Sequence, residues 1–185
     1  MNIIQKIISL ILTMLGLMKK KAEAEVVIPI ETPRVYENKQ PEVPEPKSIP
    51  LTKAEKIYKT ALATLGEDIS TLIENEIACS EVVSKIINQA ISDFPAGVLS
   101  TADLNIKLKQ SLYFRQVLEP SEGAIIVSPR TEKINGHTGI CLSNGAIASN
   151  DSKTGKFNVN YNLETWAKTF GARGRGLKIY IYEVI

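Results

Sequence analysis

Between residues 138 and 148 the chain reads Thr-Gly-Ile-Cys-Leu-Ser-Asn-Gly-Ala-Ile-Ala, two short apolar runs joined by Ser143-Asn144-Gly145. Asn-Gly between such runs is the strongest short-range signal for a tight hairpin, because both central residues of the favoured turn take positive φ. The stretch therefore commits this part of the chain to an antiparallel pair. In such a pair the start of the first strand lies opposite the end of the second. His137, the one histidine of the protein, opens the first strand, and Ser149-Asn150-Asp151 close its partner. An imidazole is thereby set beside an amide and a carboxylate. An oxygen there can accept the Nδ1 proton and leave Nε2 as a base, the base-and-orienter half of a nucleophilic triad. The plainer reading is a histidine at a strand end bonded to a turn.

Composition narrows the chemistry around that histidine. The chain of 185 residues has room for one domain of about 110 to 130 residues plus appendages. Its 22 basic and 20 acidic side chains leave a net charge of +2. Outside Lys19-Lys20-Lys21 and the Arg173-Gly174-Arg175 turn there is no basic stripe, so nucleic acid is not an expected partner. Two cysteines and one histidine are too few for a Cys/His zinc site, and no P-loop, dinucleotide or His-Glu-x-x-His pattern occurs. Chemistry without metal or cofactor is expected, from a monomer.

The chain divides into three parts by composition. Residues 1–24 form an apolar segment, Met1 to Met18 being mostly Ile, Leu and Met, followed by the lysine trio. Its uninterrupted apolar stretch of about a dozen residues is short of the roughly 20 that span a bilayer. It reads as a signal peptide ending at Ala22-Glu23-Ala24, as a short anchor, or as an amphipathic surface helix. Membrane association through this segment, or export to the cell wall, is the expectation. Residues 25–50 hold six of the nine prolines, among Glu, Lys and Val, and read as an extended tether. Residues 51–185 carry the domain.

Within the domain, Thr52-Lys-Ala-Glu55 has the form of a capping box, and Ile57, Ala61 and Leu65 share a helical face that ends at Gly66. A second box-like start at Thr71-Leu-Ile-Glu74 leads into a helix from Asn75 to Ile91, with Val82, Val83, Ile86, Ile87, Ala90 and Ile91 on one buried face. Cys79 sits near the N-terminus of this helix. Unpaired N–H groups and the positive end of the dipole stabilise a thiolate there, and a nearby imidazolium lowers its pKa further. The competing reading is a free cysteine that fills a helix face. Cys141 is the rival nucleophile, but four residues of strand separate it from His137 by roughly 13 Å, so a core position is expected. A Cys79 to Cys141 disulfide, which would silence the thiol, stays open.

Phe94-Pro95-Ala96-Gly97 breaks the chain, and Ser100 restarts a helix carrying Leu104 and Leu108. Ser111 to Leu118 is ambiguous between helix end and strand. Ala124 to Val127 reads as a buried strand and Ser152 to Gly155 as a turn. Asn162 caps a helix from Leu163 to Phe170 with Trp166 inside, and Leu177 to Val184 is the last strand. Helices first and an antiparallel sheet after is an α+β order.

Cys79, the Gly123-to-Val127 strand, Gly136-His137-Thr-Gly-Ile and Asn150 together resemble the NlpC-type and CHAP-type cysteine peptidases and amidases that cut bacterial cell walls, especially phage-borne ones. The likeness runs from about Asn75 to Ile185. It implies a papain-like fold, N-terminal helices packed on an antiparallel sheet, with Cys79 as nucleophile, His137 as base and Asn150 as the orienting residue. Ser80-Glu81-Val82 departs from the family's usual residues after the cysteine. Ser149 and Asp151 are alternatives for the third role, because a shift of one position along a strand changes the face.

Two functions follow. The first is a peptidoglycan hydrolase, endopeptidase or amidase, using a Cys-His-Asn thiol mechanism on wall peptide in phage lysis or entry, with association with a virion as one expectation. Its substrate class rests on the resemblance alone. The second is a non-enzymatic, membrane-tethered interaction module on the same fold, with the cysteine buried and inert.

Overall fold

The computed structural model describes residues 50–72 and 77–185. The apolar segment 1–24, the proline-rich tether 25–50 except for Pro50, and the end of the Thr71–Glu74 motif lie outside the described residues. Four helices and six strands follow one another as α1 (Lys53–Ala63), α2 (Cys79–Ala90), α3 (Thr101–Gln110), β1 (Phe114–Val117), β2 (Ile125–Ser128), β3 (His137–Cys141), β4 (Ala146–Asn150), β5 (Phe157–Asn162), α4 (Leu163–Phe170) and β6 (Tyr180–Val184). The class is α+β. All six strands form one antiparallel sheet in the order β1-β6-β2-β3-β4-β5.

Local chemistry sets the helix ends. The Thr52 side chain accepts the Glu55 N–H while Glu55 Oε2 accepts the Thr52 N–H at 2.8 Å, so two donors that the first turn of α1 would leave unpaired are satisfied. Ser100 caps α3 through the Asp103 N–H, and Asn162 and Thr165 form a reciprocal cap on α4. By contrast α2 starts at Cys79 with Ala78 as its cap residue and no side-chain cap, four residues later than the sequence reading. Its first N–H groups are left for another acceptor.

The sheet is covered on both faces. On one, α1, α2 and α3 bury Ile57, Ala61, Val82, Val83, Ile86, Ile87, Leu104 and Leu108 against Ile125, Val127, Ile140 and Ala148. On the other, α4 lays Trp166 and Phe170 on Ala124, Ile126, Cys141 and Ile147. The two sets alternate along β2, β3 and β4 with the period of two that a strand imposes. Each fully buried aliphatic side chain on α2 contributes about 2 kcal/mol relative to exposure, which fixes this helix on the sheet and with it the position of Cys79.

The hairpin forms as its Asn-Gly pair requires. Asn144 and Gly145 take φ of 56° and 71°, and the Ala146 N–H returns to the Ser143 carbonyl. The ladder of β3 and β4 registers Ile140 with Ala148 and Cys141 with Ile147, and registered pairing stops there. Toward the open end the two strands keep their other neighbours, His137 with Ser128 on β2 and Asn150 with Phe157 on β5.

Candidate active site

Cys79 lies at the first residue of α2, 6 % exposed, at the open end of the β3–β4 pair. The backbone N–H of Thr138, then the Ser80 side chain and the N–H groups at the helix start, all act to lower the pKa of its thiol. Thr138 is the residue after His137, so thiol and imidazole belong to adjacent segments one peptide unit apart. Burial nevertheless outweighs all of these donors and pushes the thiol pKa up. The uncapped helix start supplies a favourable dipole, and burial acts against it on this sulfur.

His137 opens β3 with its ring on the α4 face. It stacks on Trp166 and Phe170 at centroid distances of 5.4 and 5.2 Å and meets the edge of Tyr161 at 5.7 Å. Burial in this box, then the Arg175 charge, hold the imidazole down at about 4 despite the opposing pull of Asp151. At neutral pH both thiol and imidazole are uncharged.

Ser149 is the residue on the imidazole: its Oγ lies 3.1 Å from His137 Nε2. The same hydroxyl receives Asn160 Nδ2 at 3.1 Å, and Asn160 Nδ2 also donates to the Ser149 carbonyl at 2.9 Å. Of the three residues read for the third role, Asn150 with Ser149 and Asp151 as alternatives, Ser149 is the one that lies at hydrogen-bond distance from the imidazole. Alternation along β4 puts Ser149 on the His137 face and Asn150, 2 % exposed, on the face of α2. Asp151 is opposite His137 by register, but its Oδ1 is taken by the N–H groups of Lys153 and Thr154 at 2.7 and 3.1 Å. Nε2 thus faces a hydroxyl that can donate to it or accept from it, and the tautomer sets which.

The other sequence candidates fall elsewhere. Cys141 is 3 % exposed in the α4-side core, with its pKa pushed up to about 12 by burial. Both cysteines are free thiols, so the disulfide alternative is set aside. Asn160 and Tyr161 were missed because β5 was missed. Phe157, Val159 and Tyr161 alternate with three asparagines, a period-two signal that would have found it.

A cleft of about 270 Å³ opens in front of the sulfur, between Ile77 and Leu99 on one side and Arg130, Asn135 and Gly136 on the other, with Ser80 at its base. Gly136 lets this wall close up. A methyl at its Cα would collide with the Ser128 carbonyl, the Thr101 hydroxyl and the Arg130 N–H. Glu81, one turn into α2, is fully buried; burial pushes its carboxyl up, but Lys85 and the N–H groups of Thr71 and Leu72 bring it below the usual range. That clasp ties the segment before Cys79 to its own helix.

No family model matches the chain, and no curated protein matches it. Among solved structures, the type VI effector–immunity complex Tae3–Tai3 from Ralstonia pickettii contains a chain similar to this one at a TM-score of 0.45 and 15% identity, over 71% of this chain and 98% of that chain. The wild-type endolysin LysIME-EF1 is similar at a TM-score of 0.45 and 14% identity, over 71% of this chain. The matched part spans 64% of the endolysin chain, less than two thirds of its length. The chemistry of the site is therefore read from its own atoms.

Proposed function

We propose that the protein is a cysteine-dependent amide hydrolase acting on peptidoglycan peptides. The observation that carries the enzymatic part is the sulfur of Cys79 at an uncapped helix start, in contact with the N–H next to a histidine whose Nε2 is held by Ser149. The substrate class comes from the resemblance of the Cys79 and His137 motifs to wall-cutting cysteine peptidases and amidases.

The reaction follows from these groups. The Cys79 thiol gives its proton to His137 Nδ1 as sulfur attacks the amide carbonyl carbon. The N–H groups at the start of α2 receive the developing oxyanion. The imidazolium then protonates the leaving amine, the C–N bond breaks and a thioester remains. Water, deprotonated by the same imidazole, cleaves the thioester to a carboxylate and restores the thiol. Because both partners rest uncharged, the proton moves only when substrate arrives. Ser149 and Asn160 hold the ring in the working tautomer.

The apolar segment Met1 to Met18 would bring this activity to a membrane or, if processed, to the wall. Purified full-length protein incubated with isolated walls is expected to release new amino and carboxyl ends. A Cys79→Ala variant that releases them equally well would sink the proposal.

The burial and raised pKa of Cys79 favour one alternative, a binding module with an inert thiol. Slow but measurable alkylation of Cys79 in the native protein, sped by wall peptide, supports the enzyme. Labelling only after denaturation supports the module.

A further inference from the structure

One charged side chain lines the cleft in front of Cys79. Among the described residues that line it, Arg130 stands with apolar and uncharged polar neighbours, and no acid is present. Its backbone N–H donates to the buried Thr101 hydroxyl at 2.8 Å, which fixes the root of the side chain at the rim. The guanidinium is in neither of the ion pairs, Lys85 with Glu81 and Arg115 with Glu183. Arg130 is exposed.

A second guanidinium backs the same rim. Arg175 donates from Nη1 to the carbonyl of Asn135 at 3.3 Å and lies over the Phe170 ring at 5.1 Å. Asn135 itself lines the cleft. One positive charge, Arg130, thus stands on the cleft and a second, Arg175, behind its Asn135 wall, while Asp151 is engaged by its own turn. A cleft with apolar walls and a one-signed rim concentrates ligands of opposite charge. A guanidinium matches a carboxylate with two parallel hydrogen bonds, a geometry that a lysine ammonium does not offer.

We infer that the Cys79 cleft is a carboxylate subsite in which Arg130 grips a free carboxyl group of the peptide substrate close to the scissile amide. Arg175 is a positioning residue, holding the Asn135 wall and adding to the field. The inference rests on the proposed amide-cleaving reading and assigns the chemistry of its substrate: an acidic peptide, not a neutral or amidated one.

The test uses synthetic wall stem tetrapeptides that differ only in whether the α-carboxyl of D-glutamate is free or amidated. Binding to the full-length Cys79→Ala protein is measured by calorimetry, so the outcome is independent of whether the wild type cleaves. Cleavage by the wild type is measured separately and reports on the catalytic reading. The free acid is expected to bind roughly tenfold tighter than the amide, the scale of one charge-assisted contact. Arg130→Gln in the same background should erase this preference while binding of the amide stays within twofold, and Arg130→Lys should restore only part of it. Equal binding of acid and amide, no binding of either, or a preference that survives Arg130→Gln would overturn the assignment.

Discussion

Cys79 and Cys141 are both buried free thiols, yet their neighbours give them different prospects. Cys79 lines a cleft, and nearby donors oppose the effect of its burial, whereas Cys141 sits in the hydrophobic cluster under α4 with burial alone pushing its pKa up to about 12. Cys79→Ala is expected to abolish wall cleavage, and Cys141→Ala to leave at least half of it. Equal loss from both would show that cleavage depends on the fold and not on the Cys79 sulfur. His137 makes a second prediction, about stability. Its imidazole is held at about 4 in the folded chain against 6.5 unfolded, so the unfolded chain takes up the proton first as pH falls. The contribution is fully present above about pH 6.5, declines on the way to 4, and amounts to about 3 kcal/mol. His137→Phe keeps the aromatic packing and removes the titration. Urea midpoints at pH 7, 5.5 and 4 should fall less steeply for this variant than for the wild type, and parallel curves would refute the assignment.

At the scale of elements, the hairpin was legible in the sequence and its face assignment was not. Asn144-Gly145 fixed where β3 and β4 turn, and the capping residues Thr52, Ser100 and Asn162 fixed three helix starts. Pattern reading left the third residue among Asn150, Ser149 and Asp151, since a one-residue difference in the phase of β4 exchanges them. The helix read from Asn75 starts at Cys79, and Thr71 gives both its N–H and its hydroxyl to Glu81 on α2. β5 went unread even though its alternation was present. The orienting role proposed for Ser149 can be checked by kinetics. Ser149→Ala should lower kcat roughly tenfold or more with KM little changed, since a residue that holds a ring nitrogen acts on the chemical step. Asn150→Ala should cost less. The opposite order would return the third role to Asn150.

For the whole molecule, the described unit is closed on itself. α1 starts on its own capping box at Thr52, and its buried face packs on the core with α2 and the sheet. Removing residues 1–50 is therefore expected to leave a folded domain that still cleaves isolated walls and melts within a few degrees of the full chain. What should disappear is sedimentation with lipid vesicles, since Met1 to Met18 is the stretch apolar enough to partition into an interface. A truncated chain that aggregates, or that loses activity on isolated walls, would make the apolar segment part of the domain. Vesicle binding that persists would place the membrane contact elsewhere.

The stacking of His137 on Trp166 has an optical consequence. Trp166 is the one tryptophan of the chain, fully buried, with its Nε1–H given to Ser128 Oγ at 3.0 Å. An excited indole passes an electron readily to a protonated imidazole and poorly to a neutral one. The emission of the protein is therefore expected to fall as His137 takes up a proton. A fluorescence titration should show a step near pH 4 that His137→Phe abolishes. When a wall peptide occupies the cleft, any upward movement of that step measures how far the bound ligand draws the imidazole toward its working charge.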